Sequence, residues 1–280
     1  MAITKLIADS GATKAEWRLL DGRHKKTIFT QGISPYFLNP DQIQTLLLKE
    51  LCPFLKKQRV TEVHYYGTGM RNPKNVRMLK KCLEKIFAGA AIEVSDDMLA
   101  AARGLSGNKK GIVCNLGTGS FCCYYNGKKI VKRSPGIGYI LGDEGSGAYL
   151  GKKVIQYYLY NIFDGDLRNK FNRKYKVQPI DILENVYRKP LANRYMATFS
   201  LFLSENRGHY MIENIIEDGL NDFFFNHLIK YKETSAMPVS FVGGVADGFK
   251  DVLQQLCVTY DMKLGKVLKN PMEGLIEYHG

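Results

Sequence analysis

The segment LIADSGATK, Leu6 to Lys14, decides how the rest of the sequence is interpreted. A short apolar run ends in Asp9, and the turn that follows combines glycine with hydroxyl side chains. Asp, Ser and Gly are common turn residues, so an ordinary hairpin turn would explain the segment. The backbone N–H groups of such a turn can also hold a phosphate, and a nearby carboxylate can hold a cation. The segment alone leaves both interpretations open.

A second segment of the chain is similar to the first one. IVCNLGTGSFCCYYNGKKIVKRSPG, which starts at Ile112, aligns with LIADSGATKAEWRLLDGRHKKTIFTQG with little adjustment. Asn126-Gly127 repeats the hairpin signal of Asp21-Gly22. Internal similarity of this kind indicates a duplicated structural unit, and chance similarity between two hairpins is the alternative. Strands alternate with periodic helices around both segments, which predicts an α/β fold.

Length and composition limit the class of protein. The 280 residues are 45% hydrophobic and 24% charged, which is enough for a large core and for two domains. No apolar run is long enough to cross a bilayer, so we expect no membrane partner. Asp9 interrupts the first apolar stretch before the core of a signal peptide could form. We therefore expect a soluble, cytoplasmic protein.

The charged residues and cysteines exclude several functions. The net charge is +13, but the basic residues are dispersed over many segments, and no nucleic-acid-binding motif is present. This distribution favours a solvated surface, or attraction of an anionic small molecule, over a nucleic-acid partner. The six cysteines form no C-x-x-C pair, which indicates buried thiols, and the five histidines lack the spacing of a zinc site.

Two later segments change the interpretation of the first turn. LGTGS, Leu116 to Ser120, is a second glycine-containing turn, and FVGG, Phe241 to Gly244, is a third. Backbone N–H groups of two facing turns can converge on a polyphosphate. Phosphoryl transfer depends mainly on positioning and on neutralising charge with Mg²⁺, which needs few carboxylates. Together these segments favour a phosphate and metal site at Asp9.

Five segments resemble the sugar kinase, Hsp70 and actin superfamily, and more closely the N-acetylglucosamine kinases of the BadF/BadG/BcrA/BcrD ATPase group. They are DSGATK, SDDMLAAARGL, NLGTGS, GYILGDEGSGAYLG and FVGGVADGF, in the order of that family and over nearly the whole chain. The resemblance implies an actin-like ATPase fold of two ribonuclease-H-like domains, residues 1–108 and 109–280, with an ATP cleft between them. It also implies that the C-terminal segment packs back on the first domain.

The resemblance implies an ATP-dependent kinase that phosphorylates an amino sugar, most simply N-acetylglucosamine at its 6-hydroxyl. Asp97 would be the catalytic base, with Asp96 as the alternative, and Asp9 would act on Mg²⁺ directly or through water. ATP would be held by residues of the three glycine-containing turns, namely Gly11, Thr13, Lys14, Gly117, Thr118, Gly119, Gly243, Gly244 and Val245. The sugar would be held by Ser34, Asp97, Gly138 and Asp143.

Residue chemistry supports a carboxylate base, because a sugar hydroxyl needs a positioned acceptor for its proton. The alternative for either aspartate of SDD is a helix N-cap, and GDEGS has the same alternative. Two departures from the family concern the sugar. Ser34 stands where relatives generally carry Asn, and Tyr139-Ile140 stands in a segment where better-known enzymes read Trp-Gly-His. A serine hydroxyl cannot reproduce the paired contacts of an amide.

Other members of the same superfamily define the competing functions. A kinase of N-acetylmuramic or muramic acid would use the same site, and the positive charge of the chain would attract a lactyl carboxylate or ATP. A regulatory ATPase without a sugar substrate is the alternative from another class. Relatives that activate dehydratases hold an iron–sulfur cluster, and none of the six cysteines has the local context of such a ligand. We expect ATP and an amino sugar as ligands, and a homodimer as the oligomeric state.

Overall fold

The computed structural model describes residues 3–11, 14–22, 24–55 and 58–280. The chain divides into two compact units. Unit 1 comprises Met1–Asn108 together with Pro271–Gly280, and unit 2 comprises Lys109–Asn270. Each unit contains one five-stranded sheet with helices packed against it. The predicted α/β class is confirmed. Within the described ranges, no helix combines the length and the apolar character needed to cross a membrane.

Unit 1 is built on a mixed sheet with the strand order β3-β2-β1-β4-β5. The strands are β1 Thr4–Ser10, β2 Lys14–Asp21, β3 His24–Gln31, β4 Glu62–Gly67 and β5 Ala91–Asp96. The helices are α1 Pro40–Glu50, α2 Cys52–Leu55, α3 Pro73–Ile86 and α4 Asp97–Ser106. The first three strands are antiparallel neighbours, whereas β1, β4 and β5 run parallel. The carboxyl ends of these parallel strands therefore meet at one edge of the sheet.

Helix α1 begins and ends for local reasons. Asn39 accepts the N–H of Gln42 at 2.9 Å, and the Gln42 side chain accepts the N–H of Asn39 at 2.9 Å. This reciprocal capping box satisfies two N–H groups that the helix cannot. Apolar residues at helical spacing from Asp41 to Lys57, such as Ile43, Leu47 and Leu51, predict a single helix over that range. That prediction was wrong about its length, because Pro53 has no N–H to continue the hydrogen-bond ladder of α1.

The core of unit 1 lies mainly on the sheet face that α1 and α3 cover. Its largest buried side chains are Trp17 and Tyr65, whose rings are 5.9 Å apart between centroids. The buried indole N–H of Trp17 donates to Thr30 Oγ1 at 3.0 Å, so its polar atom is satisfied. These contacts hold β2 against β3 and against β4.

Unit 2 has a second mixed sheet, with the strand order β10-β9-β6-β7-β8. The strands are β6 Lys110–Leu116, β7 Ser120–Asn126, β8 Ile130–Arg133, β9 Val239–Val242 and β10 Leu264–Leu268. The helices are α5 Gly138–Leu141, α6 Gly147–Leu159, α7 Gly165–Tyr175, α8 Pro179–Tyr187, α9 Ala192–Thr198, α10 Leu201–Glu205, α11 Tyr210–Asn226, α12 Gly244–Gly248 and α13 Lys250–Thr259. Strands β6 and β7 pair as an antiparallel hairpin, as β1 and β2 do in unit 1.

The last helix of the chain, α14 Met272–His279, belongs to unit 1. It packs on α4, on the sheet face opposite the main core, around Ile7, Tyr66, Ala100 and Leu275. The two helix backbones come very close at a pair of glycines. A Cβ atom on Gly274 would lie 1.8 Å from the carbonyl oxygen of Gly104, so only glycine fits at this crossing.

Candidate active site

The carboxyl edge of the unit 1 sheet collects the acidic residues that the sequence singled out. Asp9 lies near the end of β1, and Asp97 begins α4 directly after β5. Strand β4 lies between them, with Gly67 opposite both Ser10 and Asp96. Polar groups at the carboxyl ends of parallel strands are a common arrangement for ligand sites in open α/β sheets. The structure therefore brings Asp9 and Asp97 to one edge.

The two aspartates of SDD have different structural roles. Asp96 is buried and is the N-cap of α4, where its Oδ1 accepts the N–H of Leu99 at 2.9 Å. Asp97 is the first residue within the helix, and its side chain is exposed at the edge. The N-cap alternative thus describes Asp96. The Asp97 carboxylate is accessible to a ligand at this edge.

Asp9 lies in a negative environment. Burial, together with the nearby carboxylates of Asp97 and Glu16, raises the pKa of Asp9 to about 7. Glu16 lies directly opposite Asp9 in the β1–β2 register, so both side chains are on the same face. Glu16 is not among the residues predicted from the sequence. Counting residues in both directions from the predicted turn between β1 and β2 would have placed Glu16 opposite Asp9.

Glu16 is held in place by an arginine. Its Oε1 accepts hydrogen bonds from Arg18 Nε at 2.8 Å and from Arg18 Nη2 at 2.7 Å. Arg18 Nη2 also contacts Glu273 Oε1 of α14 at 3.0 Å. The guanidinium therefore links the C-terminal helix to the strand that lies beside Asp9.

A magnesium ion fits the donor set at this edge. Among the described residues, no three His, Cys, Asp or Glu side chains form a cluster that could hold a metal ion by themselves. Mg²⁺ needs less than such a cluster, since it keeps several waters and uses one or two carboxylates with substrate phosphates. The pKa of Asp9 is raised first by burial and then by the charges of Asp97 and Glu16, and a divalent cation would offset both effects. Asp9 is the side chain that would hold the ion.

The first glycine-containing turn is described only in part. Gly11 is exposed, and its N–H donates to the carbonyl oxygen of Lys14 at 3.0 Å. The Lys14 ammonium lies 3.9 Å from the centroid of the Phe29 ring, as a cation–π contact. Thr13, which the sequence analysis assigned to ATP, lies outside the described residues. Gly11 and Lys14 are placed at the same end of β1 and β2 as Asp9.

Ser34 is the buried first residue of a turn that is attached to the end of β1. The N–H of Ile33 donates to Ser10 Oγ at 3.0 Å, and the Ser34 carbonyl oxygen accepts the N–H groups of Phe37 and Leu38 at 3.0 Å each. Ser34 itself is 2% exposed. These contacts place Ser34 at the same edge as the two aspartates.

In unit 2, the second turn is fixed by the start of α6. The N–H groups of Gly147 and Ala148 donate to the carbonyl oxygens of Gly117 and Thr118, at 2.7 and 3.1 Å. The turn is closed by the Gly117 N–H, which donates to the Gly119 carbonyl oxygen at 3.0 Å. The Thr118 side chain is exposed. These hydrogen bonds fix the conformation of the glycine turn, and Thr118 of the turn remains exposed to solvent.

The third segment packs directly on this turn. Gly243 has φ of +124°, and a Cβ atom there would lie 2.2 Å from the carbonyl oxygen of Leu116. Gly244 follows at the exposed start of α12. Val245 is buried and packs into the core of unit 2, so its side chain is not available to a nucleoside. Of the three residues assigned in this segment, Gly244 is the one whose backbone is exposed to a ligand.

Asp143 lies against the same turn. Its Oδ2 would be 3.0 Å from a Cβ on Gly119, and its carboxylate accepts the backbone N–H of Ser120. Asp143 has φ of 56°, a left-handed backbone conformation that costs free energy for residues other than glycine. Burial raises the pKa of Asp143, and the Ser120 N–H opposes that shift. The N-cap of α6 is Ser146, whose Oγ accepts the N–H of Tyr149 at 3.1 Å, so Asp143 does not cap this helix.

A buried contact between Glu144 and His227 supports the loop that carries Asp143. Glu144 Oε2 lies 3.0 Å from His227 Nε2, and His227 is 7% exposed at the end of α11. His227 is not predicted from the sequence, because it lies 83 residues from Glu144 and no local pattern indicates their contact. Gly138, the remaining sugar residue assigned from the sequence, begins α5 with φ of +76° and open space on its Cβ side.

These features define the class of protein. Two α/β units, each with a mixed five-stranded sheet and a glycine turn after its first strand, form an actin-like ATPase fold. Among solved structures, a proposed N-acetylglucosamine kinase from Porphyromonas gingivalis is 36% identical over 98% of both chains, with a TM-score of 0.93. A proposed N-acetylglucosamine kinase from Chromobacterium violaceum is 17% identical, covers 100% of this chain and 99% of its own, and has a TM-score of 0.75, a likeness of fold.

The curated proteins add one relative. An N-acetylmuramic acid/N-acetylglucosamine kinase from Clostridium acetobutylicum is 27% identical over 150 residues, which is 50% of this chain. The match spans 48% of the length of that relative. No family model matches the chain. On the identity and coverage shared with the Porphyromonas gingivalis protein, the chain belongs to the N-acetylglucosamine kinase-like family of the BadF/BadG/BcrA/BcrD ATPase group.

Proposed function

We propose that this protein is an ATP-dependent kinase that phosphorylates N-acetylglucosamine at its 6-hydroxyl. The observation that carries the proposal is the exposed Asp97 at the carboxyl edge of unit 1, close enough to Asp9 for its charge to raise the pKa of that residue. A base for the sugar hydroxyl and a carboxylate for a cation are the two groups that phosphoryl transfer to an alcohol needs.

In the proposed reaction, Asp97 accepts the proton of the sugar hydroxyl as its oxygen bonds to the γ-phosphorus of ATP. The bond between that phosphorus and the β–γ bridging oxygen breaks, and ADP leaves. Mg²⁺ held at Asp9 supplies charge neutralisation on the phosphate oxygens. Asp143, Ser34 and Gly138 are proposed to orient the sugar, as the family assigns them.

ATP is proposed to use the backbone of the glycine turns. We assign to the nucleotide the exposed Gly11 and Lys14 in unit 1, and the Gly117–Gly119 turn with Gly243 and Gly244 in unit 2, because residues without a side chain let a ligand approach the backbone. Thr13 and Val245 complete the assignment from the sequence, with Val245 contributing only its backbone because its side chain is in the core.

N-Acetylmuramic acid is a second candidate substrate. It is favoured by the name of the Clostridium acetobutylicum relative, which acts on both sugars, and by the net charge of +13. A carboxylate on the lactyl group would be attracted by that charge.

A substrate panel tests the proposal. ADP formation is measured with ATP, Mg²⁺ and each of N-acetylglucosamine, N-acetylmannosamine, N-acetylmuramic acid, muramic acid, glucosamine and glucose. We expect the highest kcat/KM with N-acetylglucosamine and a phosphate ester at its 6-position by mass spectrometry and NMR. ATP turnover that is independent of every sugar would instead support a regulatory ATPase.

Location and assembly are proposed on the same basis. A kinase that uses ATP and a free sugar would work in the cytoplasm, which supplies both. A homodimer is proposed as the oligomeric state and is tested by sedimentation of the purified protein over a range of concentrations.

A further inference from the structure

The turn from Ser34 to Leu38 is held rigidly at both ends. At its start, Ile33 is fixed by the Ser10 hydroxyl, and the Tyr65 hydroxyl donates to the Ile33 carbonyl oxygen at 3.4 Å. At its end, Leu38 packs against the core that α1 and α3 cover. The side chains at the tip of the turn are therefore presented by a fixed backbone.

Tyr36 lies at this tip and is 66% exposed. A Cβ atom on Gly69 would lie 2.9 Å from Tyr36 Cε2, so the ring rests on the backbone of that glycine. Gly69 has φ of +80°, and Asn75 Nδ2 donates to its carbonyl oxygen at 3.0 Å, which fixes the support beneath the ring. Part of the ring is packed against this turn, and the rest is open to solvent.

The position of this ring matters because Gly69 follows β4 by two residues. Gly67, at the end of β4, is opposite Ser10 of β1 and Asp96 of β5. The Tyr36 ring therefore lies at the edge that carries Asp9 and Asp97. An exposed aromatic ring on a rigid support, beside convergent polar groups, is the usual composition of a site for a small ligand.

We infer that Tyr36 is a substrate-binding residue that packs its ring against the apolar C–H face or the acetamido methyl group of the amino sugar; this rests on the proposed function. The negative face of an aromatic ring attracts C–H groups that carry partial positive charge. Because the ring is already ordered, little conformational entropy is lost when the sugar binds. Tyr36 thereby contributes to the choice of sugar, in addition to the polar contacts assigned from the family.

Phe37 provides a matched control. It is 70% exposed on the same turn, but the atoms nearest to Gly69 belong to Tyr36 and Pro35. Tyr36→Ala is expected to raise the KM for N-acetylglucosamine about tenfold, as expected for loss of one stacking contact. We expect kcat and the KM for ATP to change less than about twofold. Tyr36→Phe and Phe37→Ala should both remain close to the wild type.

Calorimetry of sugar binding in the absence of ATP gives a readout that does not depend on turnover. The dissociation constant of Tyr36→Ala for N-acetylglucosamine should rise by the same factor. If Tyr36→Ala does not fold, Tyr36→Leu keeps the bulk without the aromatic face and should show the same increase. If Tyr36→Ala and Tyr36→Leu both bind the sugar as tightly as the wild type does, this inference is overturned. The proposed function would remain intact.

Two other outcomes are decisive. A wild-type protein that neither binds nor phosphorylates any sugar of the panel would overturn the proposed function and this inference together. If Tyr36→Ala and Phe37→Ala both change the sedimentation coefficient while the KM for the sugar is unchanged, the two rings form an interaction surface. That result would also overturn a role for Tyr36 in sugar binding.

Discussion

At the scale of single residues, the neighbouring Asp96 and Asp97 differ in role: Asp96 stabilises a helix, and Asp97 is the proposed base. The Asp96 carboxylate is used by the N-cap of α4, and the Asp97 side chain is exposed at the edge. An amide side chain can cap a helix nearly as well as a carboxylate, but it cannot accept a proton at neutral pH. The two positions should therefore respond differently to the same substitution.

We expect Asp97→Asn to lower kcat by roughly 10²–10⁴, the usual cost of a lost acid–base group, and to leave folding and ATP binding nearly unchanged. Steady-state kinetics with saturating sugar and ATP measure the effect, and thermal unfolding checks the fold. The hypothesis is falsified if the variant keeps more than about a tenth of the wild-type kcat.

Asp96 is the matched control in the adjacent position. Asp96→Asn should retain both activity and stability, because Asn still accepts the N–H of Leu99. Asp96→Ala should lower the free energy of unfolding by about 0.5–2 kcal/mol through loss of the cap. Inactivity of Asp96→Asn, with full activity of Asp97→Asn, would reverse the assignment of the base.

At the scale of elements, the contact between Gly243 and the β6–β7 turn tests how the nucleotide segments are supported. Gly243→Ala would place a Cβ 2.2 Å from the Leu116 carbonyl oxygen at φ of +124°, so the backbone of one segment must move. We expect a loss of roughly 2 kcal/mol or more in the free energy of unfolding, together with weaker ATP binding. Denaturant titration and calorimetry measure the two effects.

Gly244 is the matched control, because a Cβ there would meet open space and its φ is not positive. Gly244→Ala should leave the unfolding free energy within about 0.5 kcal/mol of the wild type. It should weaken ATP binding only if the nucleoside approaches this backbone as closely as the family assignment implies. Equal stability of the two alanine variants would contradict the packing argument.

Helix α14 should make unit 1 sensitive to acid. The His279 ring stacks on His64 with 3.8 Å between centroids, and its Nε2 is 2.8 Å from the Tyr66 hydroxyl. Burial, followed by the His64 charge, lowers the pKa of His279 to about 3. Between that value and the unfolded pKa of about 6.5, the unfolded chain binds a proton that the folded chain does not. Stability is therefore lost as the pH falls below about 6.5.

We expect His279→Gln to reduce this loss, so that the variant and the wild type differ by about 1–2 kcal/mol in their change of unfolding free energy between pH 7.5 and 5. Urea titrations at both pH values measure it. His24→Gln, at an exposed position on β3, should follow the wild type. If the unfolding free energies of the wild type and His279→Gln change equally between the two pH values, His279 is not the cause of the acid sensitivity.

The same elements show what could be predicted from the sequence. The hairpins followed from Asp21-Gly22 and Asn126-Gly127, and the glycine turns followed from their position after apolar strands, because these signals are local. Two features depend on contacts between distant segments: Glu144 meets His227, and the partly exposed Tyr36 ring packs on Gly69. Local patterns carry no information about such contacts, so these features could only be found in the structure.

At the scale of the whole molecule, folding and ligand binding are linked through Asp9. Its pKa of about 7 means that the folded chain holds a proton there between about pH 4 and 7, whereas the unfolded chain does not. The stability contributed by this group therefore falls as the pH rises through that range. At pH 8 the ionised Asp9 lies beside Glu16 and Asp97 without a cation, so the ligand-free protein is destabilised by its own site.

Asp9→Asn should remove this penalty. We expect the ligand-free variant to be more stable than the wild type by roughly 1–3 kcal/mol at pH 8 and closer to it at pH 5, because most of the penalty for ionising Asp9 appears between these two pH values. Mg²⁺ and ATP should reverse the order, because a ligand at one hundred times its Kd stabilises the wild type by about 2.7 kcal/mol. Asp41→Asn, at an exposed position in α1, should follow the wild type throughout. Thermal unfolding with and without Mg²⁺–ATP at both pH values measures these shifts, and equal stabilisation of Asp9→Asn and the wild type by Mg²⁺–ATP would exclude Asp9 as the residue that holds the metal.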